Sequence, residues 1–396
     1  MLIANLLALG ALLGHWTLWV GYVNRTHAID APRPIVKLLS TLGPVLFFGA
    51  LIAVAWAGWR SGEAIQTWIT RITDPGPAWF YLIPCWLIAI ATVLAWTKRR
   101  FFTPLPAAVM KNDSLVIDVR RELNVELLAG GQARFLARVP GNQALELAIH
   151  ERELRIDQLP AGLDRLSLAH ISDLHFTGRI KIEYFREVIR RTNALGADLI
   201  LITGDIVDEI ELLAWIPETL GELAAPMGVY FVLGNHDEFT GQEDRIRASL
   251  TAEGLIDLGG RWQKIEIAGN DVILAGNELP WLKPAAQMSD CSPRSVERQQ
   301  LRILLSHSPD QFQWARRWDF DLMLAGHTHG GQVRLPVIGP VLSPSWHGVK
   351  YAGGIFYQRP TLMHVSHGVS SEHPLRINCR PEIAKLVLRT KGKSGN

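Results

Sequence analysis

Apolar and polar positions divide the chain into two regions. Across roughly the first hundred residues, apolar side chains run in three stretches, about Leu2–Val23, Leu38–Trp59 and Ala78–Thr97. Each approaches the roughly 20 residues that carry a helix across a hydrocarbon core. Trp16, Trp19, Trp56, Trp59, Trp79 and Trp96 stand near the ends of these stretches, where an amphipathic indole prefers the water–lipid boundary. A cleaved leader fits the first stretch less well. It has no positively charged start and no evident small-residue cleavage site before Asn24, and two more spans follow. The pattern predicts a transmembrane region with three helices over residues 1–100.

Beyond Leu166 the pattern changes to short apolar runs that end abruptly in polar residues. Leu166–Ile171 leads to Ser172-Asp173-Leu174-His175, and Leu199–Thr203 to Gly204-Asp205. Val229–Leu233 leads to Gly234-Asn235-His236-Asp237, Arg302–Leu305 to Ser306-His307, and Leu322–Ala325 to Gly326-His327-Thr328-His329. Runs of this length, separated by helical patterns at Tyr184–Leu195 and Ile210–Leu223, predict buried strands with crossover helices. In such sheets ligands gather beyond the carboxyl ends of the strands, so the five polar clusters are expected on one rim. Between the two regions, Pro104 and Pro106 end the last apolar helix, and Ser114–Val119 and Ala144–Ile149 alternate as short strands do. The expected division is a transmembrane region at 1–100, a transition at 101–143, an α/β domain at 144–390 and a tail at 391–396.

Composition adds topology. The chain is 48% hydrophobic, with the excess in the first region, and its net charge is +2. Lys98-Arg99-Arg100 is its only compact basic run, so no nucleic-acid partner is expected. Arg25, Arg33 and Lys37 follow the first span, and Lys98, Arg99 and Arg100 follow the third. The intervening loop has Arg60 and Arg71, with Glu63 and Asp74 nearby. The excess of basic residues on one side predicts a multi-pass inner-membrane protein whose C-terminal domain faces the cytoplasm. Cys85, Cys291 and Cys379 have neither metal-site spacing nor a disulfide framework and read as reduced thiols.

The clusters bring together Asp, His and Asn and no Cys, a donor set suited to Mn²⁺, Fe or Zn²⁺ rather than to a thiolate site or an all-oxygen Ca²⁺ cage. Two ions spaced roughly 3.5–4 Å apart need a bridging carboxylate and a ligand set each.

Asp173-x-His175, Gly204-Asp205, Gly234-Asn235-His236-Asp237, the lone His307 and Gly326-His327-x-His329 resemble, in order and spacing, the calcineurin-like metallophosphoesterase superfamily. Gly326–Gln332 followed by Arg334-Leu335-Pro336 is similar to its bacterial membrane-attached or exported subgroup. The resemblance implies an α/β fold, a β-sandwich flanked by helices, set behind the three-helix membrane region. It implies two divalent metal ions (Mn, Fe or Zn). Asp173, His175 and His329 would bind the first, and Asn235, His307 and His327 the second, with Asp205 bridging. His236 would stay uncoordinated and stabilise or protonate the leaving oxygen, with Asp237 orienting its ring, while a bridging water or hydroxide attacks phosphorus.

The expected function is hydrolysis of phosphodiesters or phosphoanhydrides. The membrane region points to a small-molecule or lipid-linked phosphate such as an acylated UDP-sugar or a phospholipid. Two alternatives stand beside it: a non-catalytic membrane scaffold with a degenerate phosphoesterase fold, and a catalytic domain exported from the cytoplasm. Asp208 reads as a supporting residue rather than a ligand, and His367 as either a substrate contact or structural filling. Asn277, Glu278, His170 and His347 read as structural.

Overall fold

The apolar runs form strands buried on both faces in the computed structural model, which describes residues 2–60, 62, 76, 79–292, 294 and 300–390. Glu63, Arg71 and Asp74 of the second loop and the 391–396 tail lie outside the described residues. The chain divides into two units, Met1–Pro104 and Leu105–Asn396.

The first unit consists of α1 (Leu2–Thr26), α2 (Arg33–Arg60) and α3 (Trp79–Phe102), three helices long and apolar enough to cross a membrane. Within it, Trp86 Nε1 of α3 donates to Leu7 O of α1 at 2.8 Å, and His15 Nδ1 lies 2.7 Å from Tyr81 Oη. These two polar side chains are thus paired within the bundle, as a medium without water favours.

The second unit is built from two facing sheets. In chain order its strands are β1 (Val109–Asp118), β2 (Glu146–Arg155), β3 (Ser167–Ile171), β4 (Leu199–Thr203), β5 (Val229–Val232), β6 (Ile256–Asp257), β7 (Trp262–Ile267) and β8 (Asn270–Asn277). There follow β9 (Gln300–Ser306), β10 (Leu322–Ala325), β11 (Arg334–Leu335), β12 (Gly339–Pro340), β13 (Gly354–Gln358), β14 (Thr361–Val365) and β15 (Glu382–Arg389). One sheet runs β1-β2-β15-β3-β4-β5-β6 and the other β13-β14-β10-β9-β8-β7. β11 and β12 form a separate hairpin.

Period-2 alternation explains why each central strand is apolar throughout. On β4, Leu199 and Leu201 face the second sheet, while Ile200 and Ile202 pack with Tyr184, Phe185 and Val188 of the helix Ile182–Ala194. On β10, Leu322 and Leu324 enter the space between the sheets, and Met323 and Ala325 pack outward against Phe312 and Ala315. Full burial of each such side chain is worth about 1.5–3 kcal/mol. The strands therefore form a rigid base for the loops at their ends.

Two expectations need correction. Residues 101–143 are not a simple transition, because from Leu105 onward they belong to the second unit, and β1 pairs antiparallel with β2 from Val109↔Leu154 to Asp118↔Glu146. β1 is an edge strand with most of its side chains exposed, so its pattern lacks the contrast of a buried strand. The helix expected at Ile210–Leu223 is instead two 3₁₀ segments, Ile210–Trp215 and Leu220–Glu222. Pro217 between them has no N–H to continue a helix and would clash with the preceding turn.

Candidate metal centre

Five loops carry the polar clusters, and each follows a parallel strand. β3, β4 and β5 pair in parallel in the first sheet, as do β9 and β10 in the second. Their carboxyl ends lead to Asp173 and His175, Asp205, Asn235 and His236, His307, and His327 and His329. The segments after β3 and β4 continue side by side beyond the sheet: Asp173 N donates to Gly204 O and His175 N to Asp205 O, each at 3.0 Å. A cross-sheet bond joins the halves, from His327 N to Asp173 Oδ1 at 3.0 Å.

Asp173, His175, Asp205, His327 and His329 all have left-handed backbone angles, with φ between 50° and 69°. Side chains other than glycine enter this region rarely, and such residues gather where the surroundings force a functional geometry. The turns aim ligand atoms inward. One atom from each of Asp173, His175, Asp205 and His329 lies within 4.8 Å of the others, as does one from each of Asp205, His307 and His327. Asp205 belongs to both groups. Asn235 is buried beside them, with no hydrogen-bond partner for its Oδ1 among the described residues.

Hydrogen bonds fix the ring tautomers. His175 Nδ1 donates to Asp208 Oδ2 at 2.9 Å, and His307 Nδ1 donates to Thr203 O at 2.7 Å. In the neutral rings both Nε2 atoms then carry lone pairs directed inward. His175 Nε2 meets His329 Nε2 at 3.2 Å, and His307 Nε2 meets Asp205 Oδ2 at 3.1 Å. The Nε2 lone pair of neutral His307 and the Asp205 carboxylate it faces need a proton or a cation between them, whereas His329, with Nδ1 towards the Arg376 guanidinium, can give its Nε2 proton to His175. With the orphaned Asn235 oxygen, the donor set fits two divalent cations, one that Asp173, His175, Asp205 and His329 would hold and another that Asp205, Asn235, His307 and His327 would hold.

The electrostatics of the chain alone point the same way. Burial opposes charge on His307, but Asp205 outweighs it and raises its pKa to about 9. His329 is held well below the ordinary value by burial and by the charges of His175 and Arg376. Burial also opposes charge on Asp205, yet His307, His236 and His175 keep it well below the carboxylate range.

His236 and Asp237 depart from the sequence-based roles. His236 is the most exposed side chain of the cluster, at 20%, and its Nδ1 lies 2.5 Å from Asp208 Oδ1. Asp237 does not orient that ring. Its Oδ1 accepts from Ile206 N and Val207 N, and its Oδ2 from Gly234 N. It is a backbone clamp, while Asp208 holds both His175 and His236. Two further residues carried no signal in the sequence. Arg376, fully buried, donates to His329 O at 3.0 Å and His367 O at 2.6 Å, and reaches His329 Nδ1 at 3.3 Å. The Trp281 ring packs 4.7 Å from that of His327 and 5.7 Å from that of His307. Both sit in loops without a motif.

Asn277, Glu278, His170 and His347 have structural surroundings. Glu278 accepts from Leu233 N and Arg247, and His347 packs on Tyr351. His367 faces Glu382, 3.5 Å away, and packs beside Gly330 and Gly353, which favours structural filling over a substrate contact.

A two-sheet sandwich with a shared-carboxylate Asp/His/Asn cluster at its strand ends defines a metal-dependent hydrolase of the dinuclear kind. The calcineurin-like phosphoesterase signature matches residues 166–331. The chain is 31% identical over 253 residues to the uncharacterized metallophosphoesterase YkuE of Bacillus subtilis, spanning 61% of this chain and 85% of that protein. It is 30% identical to phosphodiesterase YaeI of Escherichia coli, over 55% of this chain and 80% of that one. It is also 30% identical to a transmembrane protein with metallophosphoesterase domain from Bos taurus, over 63% and 58% respectively. The chain belongs to the calcineurin-like phosphoesterase family and is a metal-dependent phosphoester hydrolase.

Proposed function

We propose that this protein hydrolyses phosphodiester or phosphoanhydride bonds with a pair of divalent cations, at the cytoplasmic face of an inner membrane, on a substrate linked to lipid. The observation that carries the reading is the membership of Asp205 in both ligand groups, with complementary donors on either side. Two bound cations would supply an activated water and neutralise charge on the phosphoryl oxygens. Every other requirement falls to the chain's own residues. His175 and His307 keep their protons on Nδ1, leaving Nε2 free to ligate. Asp208 accepts the His236 Nδ1 proton, so Nε2 carries the proton given to the leaving oxygen. In the chain without cations, burial opposes charge on His236, but Asp205 and Asp208 raise its pKa to about 10. Diester preference draws support from the relative named a phosphodiesterase. The lipid-linked substrate draws on the three apolar helices.

The test uses purified full-length chain loaded with Mn²⁺. About two ions per chain and turnover of a diester are expected, both lost in Asp205→Ala with the circular dichroism spectrum kept. A chain that binds no metal and hydrolyses none of a diester, monoester and pyrophosphate-lipid panel is the scaffold instead. A C-terminal reporter active only outside the cytoplasm overturns the orientation.

A further inference from the structure

The segment between the His327–His329 loop and β13 exposes apolar surface at the wrong place for a soluble loop. Leu335, Val337, Ile338, Leu342 and Trp346 are between 41% and 74% exposed. They are five of the thirteen large apolar side chains exposed among the described residues of the second unit, yet they fall within twelve consecutive residues. Apolar side chains exposed singly need no account, whereas a cluster marks an interaction surface.

Two observations say what kind of surface meets it. The first is the backbone at the hairpin tip. Val337 has φ +65°, a conformation that turns normally reserve for Gly, Asn or Asp and that a β-branched side chain seldom enters. A polar residue would fold there more easily and be better solvated, yet the most exposed side chain of the five is this valine. The second is charge. From Leu322 to Ser371 the sequence has no Asp or Glu, while Arg334, Lys350 and Arg359 are cationic. An apolar tip with an aromatic neighbour, whose charged neighbours along the chain are all cations, matches the boundary between anionic headgroups and acyl chains.

The segment is also tied to the metal centre from both sides. Pro340 packs on Gly331, where an added Cβ would lie 2.4 Å from the proline, and Gly331 is two residues from His329. Asp310, three residues after His307, accepts from Ser345 Oγ at 2.6 Å and Trp346 N at 2.8 Å.

We propose that Gln332–Tyr351 is an interfacial element that seats the mouth of this site on an anionic lipid surface. Val337, Ile338 and Trp346 enter the headgroup–acyl boundary, and Arg334 and Lys350 meet lipid phosphates. A few apolar side chains give only weak, reversible adsorption by themselves. Helices of membrane-crossing length in the same chain raise the effective concentration of bilayer, so weak adsorption suffices. The advantage for turnover rests on the phosphoesterase reading above; the adsorption does not.

The full chain is reconstituted in phosphatidylcholine vesicles with and without phosphatidylglycerol. The native cysteines are all buried, so Val337→Cys takes an environment-sensitive fluorophore selectively. Quenching by nitroxide-bearing lipid, stronger than quenching by aqueous iodide and weakened at least several-fold by Lys350→Glu or by omitting phosphatidylglycerol, is the expected result. Quenching by iodide alone overturns the proposal. So does excimer formation between pyrene labels on two copies without quenching by nitroxide lipid, which assigns the patch to self-association. Ile338→Asp is expected to leave turnover of a soluble diester unchanged while slowing a vesicle-embedded phosphodiester several-fold. Equal loss on both substrates overturns the seating role. If the wild-type chain hydrolyses neither substrate, the phosphoesterase reading fails, and the quenching result still decides the adsorption.

Discussion

Asp208 and Asp237 are buried carboxylates on neighbouring loops, but their partners differ in kind. Asp237 clamps three backbone N–H groups, from Ile206, Val207 and Gly234. Asp237→Ala leaves them unpaired, at about 1–3 kcal/mol for each buried donor. The expected outcome is a large fall in unfolding temperature, followed by thermal scans of the detergent-solubilised chain. Asp208 instead holds the rings of His175 and His236. Asp208→Ala is expected to keep the fold and reduce metal affinity or turnover roughly 10–100-fold, the usual effect of losing an outer partner of a ligand. Metal titration and diester kinetics measure it, and a stability loss as large as that of Asp237→Ala would contradict this division. The sequence shows the ligands clearly, because each follows a sharp apolar-to-polar break. It does not show which carboxylate serves His236. Asp237 is its neighbour in the chain, but the short helix starting at Asn235 turns the Asp237 side chain back to the loop amides.

At the scale of elements, strand and turn work together. Buried strands hold five residues other than glycine in left-handed backbone, each at about 1–2 kcal/mol of conformational strain. Gly234 is the tightest turn next to the shared carboxylate. A Cβ there would stand 2.2 Å from Asp205 Oδ1. Gly234→Ala is therefore expected to displace the Asp205 carboxylate and bring metal content below two ions per chain. Elemental analysis checks this, with circular dichroism confirming intact strands. The same scale explains what was legible. Central strands stood out because both faces are buried, against the other sheet on one side and helices on the other. β1 showed only in part, as the alternation at Ser114–Val119, because its exposed edge mixes Met110, Leu115 and Val116 with polar neighbours. The hairpin of β11 and β12 was visible only as the Arg334-Leu335-Pro336 string; its exposure is a property of the fold.

At the scale of the whole molecule, the two sheets meet across polar groups as well as leucines. His170 on β3 and His364 on β14 approach at 2.8 Å, and Arg152 on β2 bonds His364. Glu382 on β15 lies 3.2 Å from His150 and 3.5 Å from His367. Burial lowers His170 to about 3 and His367 to about 4, against the pull of Glu382 in both cases. In the unfolded chain both titrate near 6.5. Above that value neither state binds the proton and the native state keeps its full stability. As pH falls from about 6.5 towards 4, the unfolded chain takes up protons that the native state refuses, so stability falls. Each unmatched proton contributes about 1.4 kcal/mol per pH unit. The unfolding temperature is expected to drop between pH 7 and pH 5, and His170→Asn to make that slope shallower. An unchanged slope would show that these rings do not control acid stability.

Donors for each proposed cation would come from both halves of the sandwich: His329 would join Asp173, His175 and Asp205, while His307 and His327 would join Asp205 and Asn235. An ion bound in either place is a rivet through the seam. Half a sandwich lacks at least one ligand for each ion, so full metal uptake reports that both sheets have docked. A chelator should accordingly loosen the junction of the sheets, well beyond the cleft, and a freshly made chain would gain its catalytic ions only after its architecture has closed.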